Sequence, residues 1–312
     1  MGIDTLKIGT RGSGLALRQT ELIADRIRDK YPELSVEIVQ IKTQGDKMQH
    51  ISLIKIGGRG VFVKEIEEAL LSGDIHCAVH SMKDVPTEFP EGLEIGIITE
   101  REDPRDVLLS MDNMKLESLP RGARIGTGSL RRGMQLLNLL PDCEIVAIRG
   151  NLDTRIKKIS TEGLDGVILA AAGIRRMGWG VRISQYIPVE VMMPAAGQGA
   201  VGIEIRSDDS DVRDLLAFLN HEDTMTAVSG ERAFLKHLGG GCQVPIAAFG
   251  RKMGESLILK GVVGSTDGRT MIPDEVKGSC DDWEELGKRM AENILSRGGR
   301  SILAEVYKEL LR

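Results

Sequence analysis

Short β-like runs alternate with amphipathic helical stretches, and this alternation restricts the fold more than any other feature of the sequence. Leu6–Gly9 predicts a strand, and Leu15–Lys30 predicts a helix with Leu22 and Ile23 on its apolar face. Strands separated by helices predict a mostly parallel sheet, with ligands bound beyond the C-terminal ends of the strands. Further predicted strands are Val36–Thr43, Cys77–Ser81, Leu93–Thr99, Arg124–Thr127, Glu144–Ile148, Gly166–Ala171 and Ala200–Arg206, and further predicted helices are Val63–Leu71, Leu130–Leu140 and Leu152–Ile159.

The pattern changes twice along the chain. A second α/β unit is predicted to begin near Pro104, and Pro188–Gly202 is a Gly/Pro-rich crossover. After Glu222 a helix, a predicted β-meander and two terminal helices follow, which indicates a third, α+β domain. The predicted domains are residues 1–99 with 200–220, residues 100–199, and residues 221–312.

Composition excludes several classes of protein. The 312 residues carry 41 Lys+Arg against 46 Asp+Glu, and aromatic residues are only 3%, which argues against a general nucleic-acid binder. We find no apolar run long enough to span a membrane, no secretory signal pattern and no metal-ligand spacing of Cys or His. The sequence therefore predicts a cytoplasmic protein without metal, nucleic-acid or membrane partners.

Gly197–Gly202 matches a dinucleotide fingerprint but precedes a strand rather than a helix, so we do not expect nucleotide binding.

Arginine is concentrated in one segment of this acidic protein. Residues 121–182 contain nine Arg and two Lys against five Asp+Glu. Three predicted strand-to-helix junctions, Gly9–Gly14, Gly126–Arg132 and Arg149–Arg155, combine Gly, Arg and hydroxyl or amide side chains. Helix N-termini and guanidinium groups both bind anions, so these junctions predict an anion site. The alternative is that Ser and Thr only cap helices while the arginines are solvated.

Two further segments carry candidate chemistry. The apolar strand within Ala78–Pro86 delivers Lys83 and Asp84 to its C-terminal end, where Asp84 could stabilise a cation or transfer a proton. The alternative is a surface ion pair. Cys242 follows three glycines, and a thiolate there could be a covalent attachment point, although a cysteine is more often a small buried apolar residue.

A long loop is predicted before the second helix. Residues 44–60 are polar at their start and Gly-rich at their end, and loops of this length are uncommon unless they are functional or disordered. We predict a lid over the active site that carries Asp46, Lys55 and Arg59.

Seven motifs, in order along one chain, resemble the porphobilinogen deaminase (hydroxymethylbilane synthase) family. The resemblance runs from Ile8 to about Tyr307. Gly128 stands where the family usually has Ser. The motifs are R-x-S-x-L-A-L-x-Q at Arg11–Gln19, V-H-S-M-K-D-V-P at Val79–Pro86, E-R-E-D-P-R-D at Glu100–Asp106, G-T-x-S-L-R-R at Gly126–Arg132, R-G-N-x-x-T-R at Arg149–Arg155, P-A-x-G-Q-G-A at Pro194–Ala200 and G-G-C-Q-V-P at Gly240–Pro245.

The resemblance implies a transferase of tetrapyrrole and haem biosynthesis. Such an enzyme deaminates four porphobilinogen molecules, condenses them head to tail on a dipyrromethane cofactor, and releases hydroxymethylbilane by hydrolysis. It also implies two α/β domains like those of type II periplasmic binding proteins, with the site between them, a smaller C-terminal α+β domain, and a monomer. The cofactor would be held by a thioether to Cys242.

The same resemblance assigns roles to individual residues. Asp84 is the implied catalytic group. The implied cofactor-binding residues are Ser81, Lys83, Asp46, Thr127, Ser129, Arg131 and Arg132. The implied substrate-binding residues are Arg11, Ser13, Gln19, Arg149, Arg155, Arg176 and Gln198, with Lys55 and Arg59 in the lid. A competing hypothesis is a non-catalytic, two-domain protein that binds carboxylates or other anions, which explains the arginines but neither Asp84 nor the Cys242 loop.

Overall fold

The computed structural model describes residues 3–43, 63–241 and 244–310 of the chain. The chain forms two compact units. Unit 1 comprises Met1–Arg101 and Ala200–Met225, and unit 2 comprises Glu102–Gly199 and Thr226–Arg312. The division into three domains stays a prediction. Among the described residues, no helix combines the length and the apolarity needed to cross a membrane.

Unit 1 is built on a five-stranded sheet in the order β2-β1-β3-β10-β4. Strand β1 runs parallel to β2 and β3, whereas β10 runs antiparallel to both β3 and β4. Its strands are β1 (Thr5–Arg11), β2 (Ser35–Ile41), β3 (Cys77–Ser81), β4 (Leu93–Ile98) and β10 (Val201–Arg206), and its helices include α1 (Gly14–Lys30), α2 (Lys64–Leu71) and α6 (Ser210–Leu216).

Both faces of this sheet are buried. Helix α1 places Ile23 and Ile27 against strand residues such as Ile8. Helix α2 covers the opposite face, where Ile66 and Leu70 pack in one apolar cluster with residues of β3 and β4. The central strands β3 and β10 therefore have no solvent-facing side.

Unit 2 contains a second five-stranded sheet, in the order β7-β6-β8-β5-β9. Strand β6 runs parallel to β7 and β8, and β5 runs antiparallel to β8 and β9, so the order and directions repeat those of unit 1. Its strands are β5 (Asp106–Ser110), β6 (Arg124–Gly126), β7 (Glu144–Val146), β8 (Gly166–Ala170) and β9 (Gln185–Ile187), and its helices are α3 (Leu130–Leu139), α4 (Leu152–Thr161) and α5 (Ala171–Arg176).

The C-terminal part of unit 2 is a three-stranded antiparallel sheet covered by helices. Its core contains Phe234, Leu259 and Met290, all fully buried. A π-helical turn at Leu295–Gly299 separates the two terminal helices, and Gly298 there has a φ of 109°, which favours glycine. The strands are β11 (Ile246–Met253), β12 (Ser256–Gly264) and β13 (Met271–Ser279), and the helices are α7 (Glu222–His237, whose first turn belongs to unit 1), α8 (Trp283–Ile294) and α9 (Arg300–Leu310).

The predicted architecture, two α/β sheet units with a smaller C-terminal α+β part, is confirmed. In each large sheet four of the five strands run in the same direction, and one strand, β10 in unit 1 and β5 in unit 2, runs against them. The sequence analysis missed β5 and β9, whose short runs precede and follow the helix-rich part of unit 2.

Candidate active site

In unit 1, predicted site residues lie at one edge of the sheet. Strands β1 and β3 are parallel neighbours, so their C-terminal ends meet at the same edge. Arg11 ends β1, and Ser81 ends β3. Ser13 begins α1 as its N-cap, where its Oγ accepts a hydrogen bond from the backbone N–H of Ala16 at 3.3 Å. This edge therefore combines a cation with a helix N-terminus.

The segment after β3 is fixed by three contacts. The Oγ of Ser81 donates to Oε1 of Gln19 at 3.0 Å, and Gln19 is itself buried in α1. The backbone N–H of Met82 donates to the carbonyl of Ala200 at 3.1 Å. The Met82 side chain is buried against Gly202, where an added Cβ would lie 2.2 Å from its sulfur. The end of β3 is thus tied to α1 and to β10.

These anchors present Lys83 and Asp84 on a single turn. Met82–Asp84 is a 3₁₀ helix, in which Met82 points into the core, Lys83 is half-buried and Asp84 is exposed. An exposed carboxylate on a rigid turn, one residue from a lysine, can meet a cationic species without moving the backbone.

The centre of unit 2 is a buried carboxylate between two buried arginines. Oδ2 of Asp106 accepts from Nη1 of Arg131 at 2.7 Å, and Oδ1 accepts from Nε and Nη2 of Arg132 at 3.0 and 2.8 Å. Asp106 is 0% exposed, and the arginines are 4% and 5% exposed. Asp106 begins the antiparallel strand β5, opposite the last residue of β8, so the fold places it at the edge where the parallel strands end.

Further hydrogen bonds hold the same cluster. Gln198 donates from Nε2 to Oδ1 of Asp106 at 2.9 Å and to the carbonyl of Pro104 at 2.7 Å. Arg131 also donates to the carbonyl of Met193 at 2.7 Å, again from Nη1. Arg132 donates from Nη1 to the carbonyl of Ile168 at 3.1 Å. Arg132 therefore donates through Nε and both Nη atoms, whereas both bonds that Arg131 makes to other described residues come from one nitrogen.

The electrostatics of the cluster follow from this arrangement. Burial raises the pKa of the Asp106 carboxyl, but the charges and hydrogen bonds of Arg131 and Arg132 outweigh burial and hold that pKa well below its usual range. Burial lowers the pKa of Arg131, an effect that Asp106 opposes. Two guanidinium groups against one carboxylate leave a net positive charge in an apolar setting, which favours an anionic ligand.

Helix α3 begins beside this cluster. Ser129 is its N-cap and accepts from the N–H of Arg132 at 3.4 Å, while Oγ1 of Thr127 accepts from the N–H of Ser129 at 3.2 Å. Gly128 lies between them, and a Cβ at this position would lie 2.6 Å from the carbonyl oxygen of Ile148. The backbone at position 128 lies so close to the Ile148 carbonyl that any residue with a Cβ would force the backbone to shift. This accounts for glycine at position 128 in this chain.

The remaining predicted arginines of unit 2 follow its parallel strands. Arg149 is exposed after β7. Arg155 is half-buried in α4 and donates from Nε to the carbonyl of Gly150 at 2.8 Å. Arg176 ends α5 and donates from Nη2 to the carbonyl of Gly199 at 2.6 Å, and burial lowers its pKa. Helices do begin at all three predicted junctions, and Ser13 and Ser129 do serve as caps.

Some predicted residues cannot be placed. Asp46, Lys55 and Arg59 of the predicted lid, and the predicted attachment residue Cys242, lie outside the described residues. Within residues 3–43, 63–241 and 244–310, no group of three or more His, Cys, Asp or Glu side chains could hold a metal ion.

Sequence reasoning missed the role of Asp106. The residue is the last letter of the E-R-E-D-P-R-D motif, but a lone aspartate after Pro104 and Arg105 gives no sign of its partners. Those partners are 25 and 26 residues away in sequence. The only available signal was the adjacent pair Arg131–Arg132 on a helix with an apolar face, since two buried arginines need a counter-charge.

The fold and the site together define a class: an α/β protein whose two large sheets carry basic side chains and helix N-termini at the C-terminal edges of their parallel strands. Within this class, two family models identify the family of the chain. The model for "Porphobilinogen deaminase, dipyromethane cofactor binding domain" matches residues 6–214, and that for "Porphobilinogen deaminase, C-terminal domain" matches residues 225–296. The chain belongs to the porphobilinogen deaminase family.

Curated relatives agree with this assignment. The porphobilinogen deaminase of Syntrophus aciditrophicus is 55% identical over 96% of this chain and 97% of its own length. That of Geobacter sp. strain M21 is 53% identical over 99% of this chain and 96% of its own length. Among solved structures, the periplasmic aliphatic sulphonate binding protein SsuA from Escherichia coli matches at a TM-score of 0.40 with 13% identity, over 75% of this chain and 70% of that one.

We predict that Asp106→Asn destabilises the protein by about 3–5 kcal/mol, because it leaves two buried guanidinium groups without a counter-charge. Urea unfolding at 25 °C measures this. Because the pKa of Asp106 is lower in the folded than in the unfolded chain, its contribution is present above about pH 4 and is lost only as the pH falls through the folded value.

The matched control for this variant is Asp142→Asn, which removes an exposed aspartate that pairs with Arg121 at 2.9 Å in the same unit. That change should cost under about 1 kcal/mol. Equal destabilisation by the two variants would contradict a special role for Asp106.

Proposed function

We propose that this chain catalyses the condensation of four porphobilinogen molecules, with loss of one ammonia at each addition, on a dipyrromethane held by a thioether to Cys242. Water then releases linear hydroxymethylbilane, which places the enzyme in tetrapyrrole and haem biosynthesis. The observation that carries the proposal is the Arg131–Asp106–Arg132 cluster in a chain of this family. Asp84, on its fixed turn in unit 1, supplies the negative group that a binding protein would not need.

The residues of unit 2 fit a dipyrromethane. Each pyrrole ring carries an acetate and a propionate, so the cofactor needs several cationic and hydroxyl donors at once. Arg131 fits best, because its hydrogen bonds to Asp106 and Met193 both come from Nη1, and among the described residues no partner is seen for its Nε and Nη2, which could bind a carboxylate. Arg132 adds positive charge to the site, and its hydrogen bonds to Asp106 and Ile168 hold the cluster in one arrangement. Ser129 and Thr127 add hydroxyl groups at the start of α3, where the helix dipole also favours an anion.

The residues of unit 1 supply the remaining chemistry. When bound, the dipyrromethane supplies the pyrrole α-carbon from which the chain grows. Lys83 would hold a cofactor carboxylate, supported by Ser81. Asp84 would contact pyrrole N–H groups, stabilise the positive charge that develops as ammonia leaves, and carry a proton to or from the departing amine. The contacts of Ser81 and Met82 keep the turn that carries Asp84 in place.

Substrate and growing-chain carboxylates would be bound by the other arginines. Arg149 and Arg155 follow the parallel strand β7 at the ligand-binding edge of their sheet. Arg176 donates to the carbonyl of Gly199, the residue after Gln198 of the Asp106 cluster. Arg11, Ser13 and Gln19 would act in the same way in unit 1, as would Gln198 in unit 2 and Lys55 and Arg59 from the predicted lid. Asp46 is proposed to contact the cofactor. From the family resemblance we also infer a monomer, and we propose that it acts in the cytoplasm without membrane, nucleic-acid or metal partners.

Ammonia release separates this proposal from a non-catalytic carboxylate-binding protein. The purified chain is incubated with porphobilinogen, and ammonia and hydroxymethylbilane are measured. The proposal requires four ammonia molecules for each hydroxymethylbilane released. Saturable binding of porphobilinogen with no ammonia would support the binding protein instead, which otherwise explains the arginine-rich edges equally well.

We predict that Asp84→Ala lowers the rate of ammonia release by roughly 10²–10⁴-fold, because it removes the group that stabilises charge and moves the proton. The exposed position of Asp84 means that the variant should unfold at the wild-type urea concentration. Asp29→Ala, which removes an exposed aspartate from α1, is the control and should keep the full rate. A wild-type rate in the Asp84 variant would remove Asp84 from its assigned role.

We predict that the purified protein carries a covalent mass of roughly two pyrrole units, and that Cys242→Ser removes it, because the thioether needs the Cys242 sulfur. Intact-protein mass spectrometry measures this directly. Cys280→Ser, a change at a partly exposed cysteine of the same unit, should leave the added mass in place. A bare polypeptide mass in a preparation that releases ammonia from porphobilinogen would refute covalent attachment.

A further inference from the structure

Helix α3 carries a third buried polar side chain besides Arg131 and Arg132. Gln135 is 4% exposed and lies one helical turn after Arg131, on the same face of the helix. An amide group is costly to bury unless its oxygen and its nitrogen both find hydrogen-bond partners. The function proposed above does not use Gln135.

Both ends of this amide bond the backbone of one residue in the crossover that follows β9. Oε1 of Gln135 accepts from the N–H of Met193 at 2.7 Å, and Nε2 donates to the carbonyl of Met193 at 3.0 Å. Nε2 also donates to the carbonyl of Arg131 at 3.2 Å. The amide therefore attaches the crossover to α3 in one orientation, because the reverse orientation would place donor against donor and acceptor against acceptor.

The carbonyl of Met193 is also an acceptor for Arg131. Nη1 of Arg131 donates to this carbonyl and to Oδ2 of Asp106, both at 2.7 Å. Because a guanidinium group is planar, two acceptors on different elements fix its plane as well as its position. The edge formed by Nε and Nη2 is then held in one direction. Gln135 thus holds one of the two acceptors that orient Arg131.

The residue after Met193 is held by a different element. The carbonyl of Pro194 accepts from the backbone N–H of Ala248 in β11 at 3.1 Å, so the crossover is also attached to the C-terminal sheet of unit 2. Without the Gln135 amide this attachment would remain, but the carbonyl of Met193 could move relative to α3. The loss would therefore reach the guanidinium group of Arg131 while leaving its ion pair in place.

We propose that Gln135 is a positioning residue that orients the guanidinium group of Arg131 towards a carboxylate of the dipyrromethane. It acts through the carbonyl of Met193 rather than by touching the ligand. A loosened arginine would hold that carboxylate less rigidly, and small displacements of bound groups lower the rate of a reaction. The inference rests on the function proposed above, in which Arg131 binds the cofactor.

The first test needs no substrate. Arginine side chains are labelled with heavy nitrogen for NMR, and the signals of Arg131 are assigned by their loss in Arg131→Lys. Because Nη1 of Arg131 has two acceptors, its rotation should be slow, and its two protons should give separate signals in the wild-type protein. Gln135→Met, which keeps the side-chain length but removes the amide, should merge these signals. Identical Arg131 signals in wild type and Gln135→Met would overturn the proposal.

Gln185→Met is the matched control. Gln185 also accepts a backbone N–H in unit 2, that of Leu116 at 2.7 Å, but it lies in β9 and its amide nitrogen donates to Glu117. This variant should keep the separate Arg131 signals. The comparison is repeated in the Cys242→Ser background, where the same result is expected because the contact with Met193 does not depend on the cofactor.

The second test asks whether the contact serves the reaction. Ammonia release is measured against porphobilinogen concentration, and the rate is expressed per chain that carries the covalent mass. Gln135→Met should lower kcat about tenfold or more and leave KM within about twofold, because other arginines bind the substrate carboxylates. Gln185→Met should keep both values. An unchanged kcat, or a change in KM as large as that in kcat, would refute the positioning role.

Gln135→Asn covers the case in which Gln135→Met does not fold. Asparagine keeps an amide but is one methylene group too short to reach both backbone groups of Met193, so it should give the same fall in kcat at the same KM. A wild-type kcat in either folded variant would refute the proposal. If the NMR result held and even the wild-type protein released no ammonia, the proposed reaction would fail and the orienting contact would stand.

Discussion

The site of unit 2 depends on one interaction, the ionised carboxylate of Asp106 between Arg131 and Arg132. Placing two guanidinium groups at about 5% exposure is unfavourable unless they are paired, and one carboxylate pairs both through three hydrogen bonds. The same carboxylate accepts a bond from Gln198, so the crossover segment is fixed to the same point. Because one positive charge remains in excess, the cluster is at once a structural ion pair and an attraction for anions.

Strand direction explains how the cluster arises. In parallel strands the C-terminal ends share an edge, and a strand that runs antiparallel brings its first residue to that edge. Strand β5 does this with Asp106, and β10 does it in unit 1 with Val201, beside the end of β3. The site of unit 2 therefore requires a sheet with one reversed strand. In a fully parallel sheet, the start of β5 and with it Asp106 would lie at the opposite edge.

Much of this was predictable from the sequence, and what was not has a common physical cause. The helices that follow Ser13, Ser129 and Asn151 were predicted because capping residues and apolar periodicity are local signals. Strand direction and the partners of Asp106 were missed because both are set by pairings between residues far apart in sequence. The 201–206 segment alternates apolar and polar residues, which is typical of a strand with one solvated face, yet Glu204 is 1% exposed because α2 covers that face.

The two units place their buried acids on equivalent strands. Strands β10 and β5 occupy the same place in the repeated strand order, and each carries the carboxylate that fixes neighbouring basic groups: Glu204 with His80, and Asp106 with the two arginines. In each unit this strand is also the one whose chain arrives from the other unit. A buried acid on such a strand favours the correct strand register. A shifted register would leave the acid without its partner in an apolar layer, which is energetically unfavourable. In unit 2 the acid that favours the correct register of β5 is thus the same residue that holds the two arginines proposed to bind the cofactor.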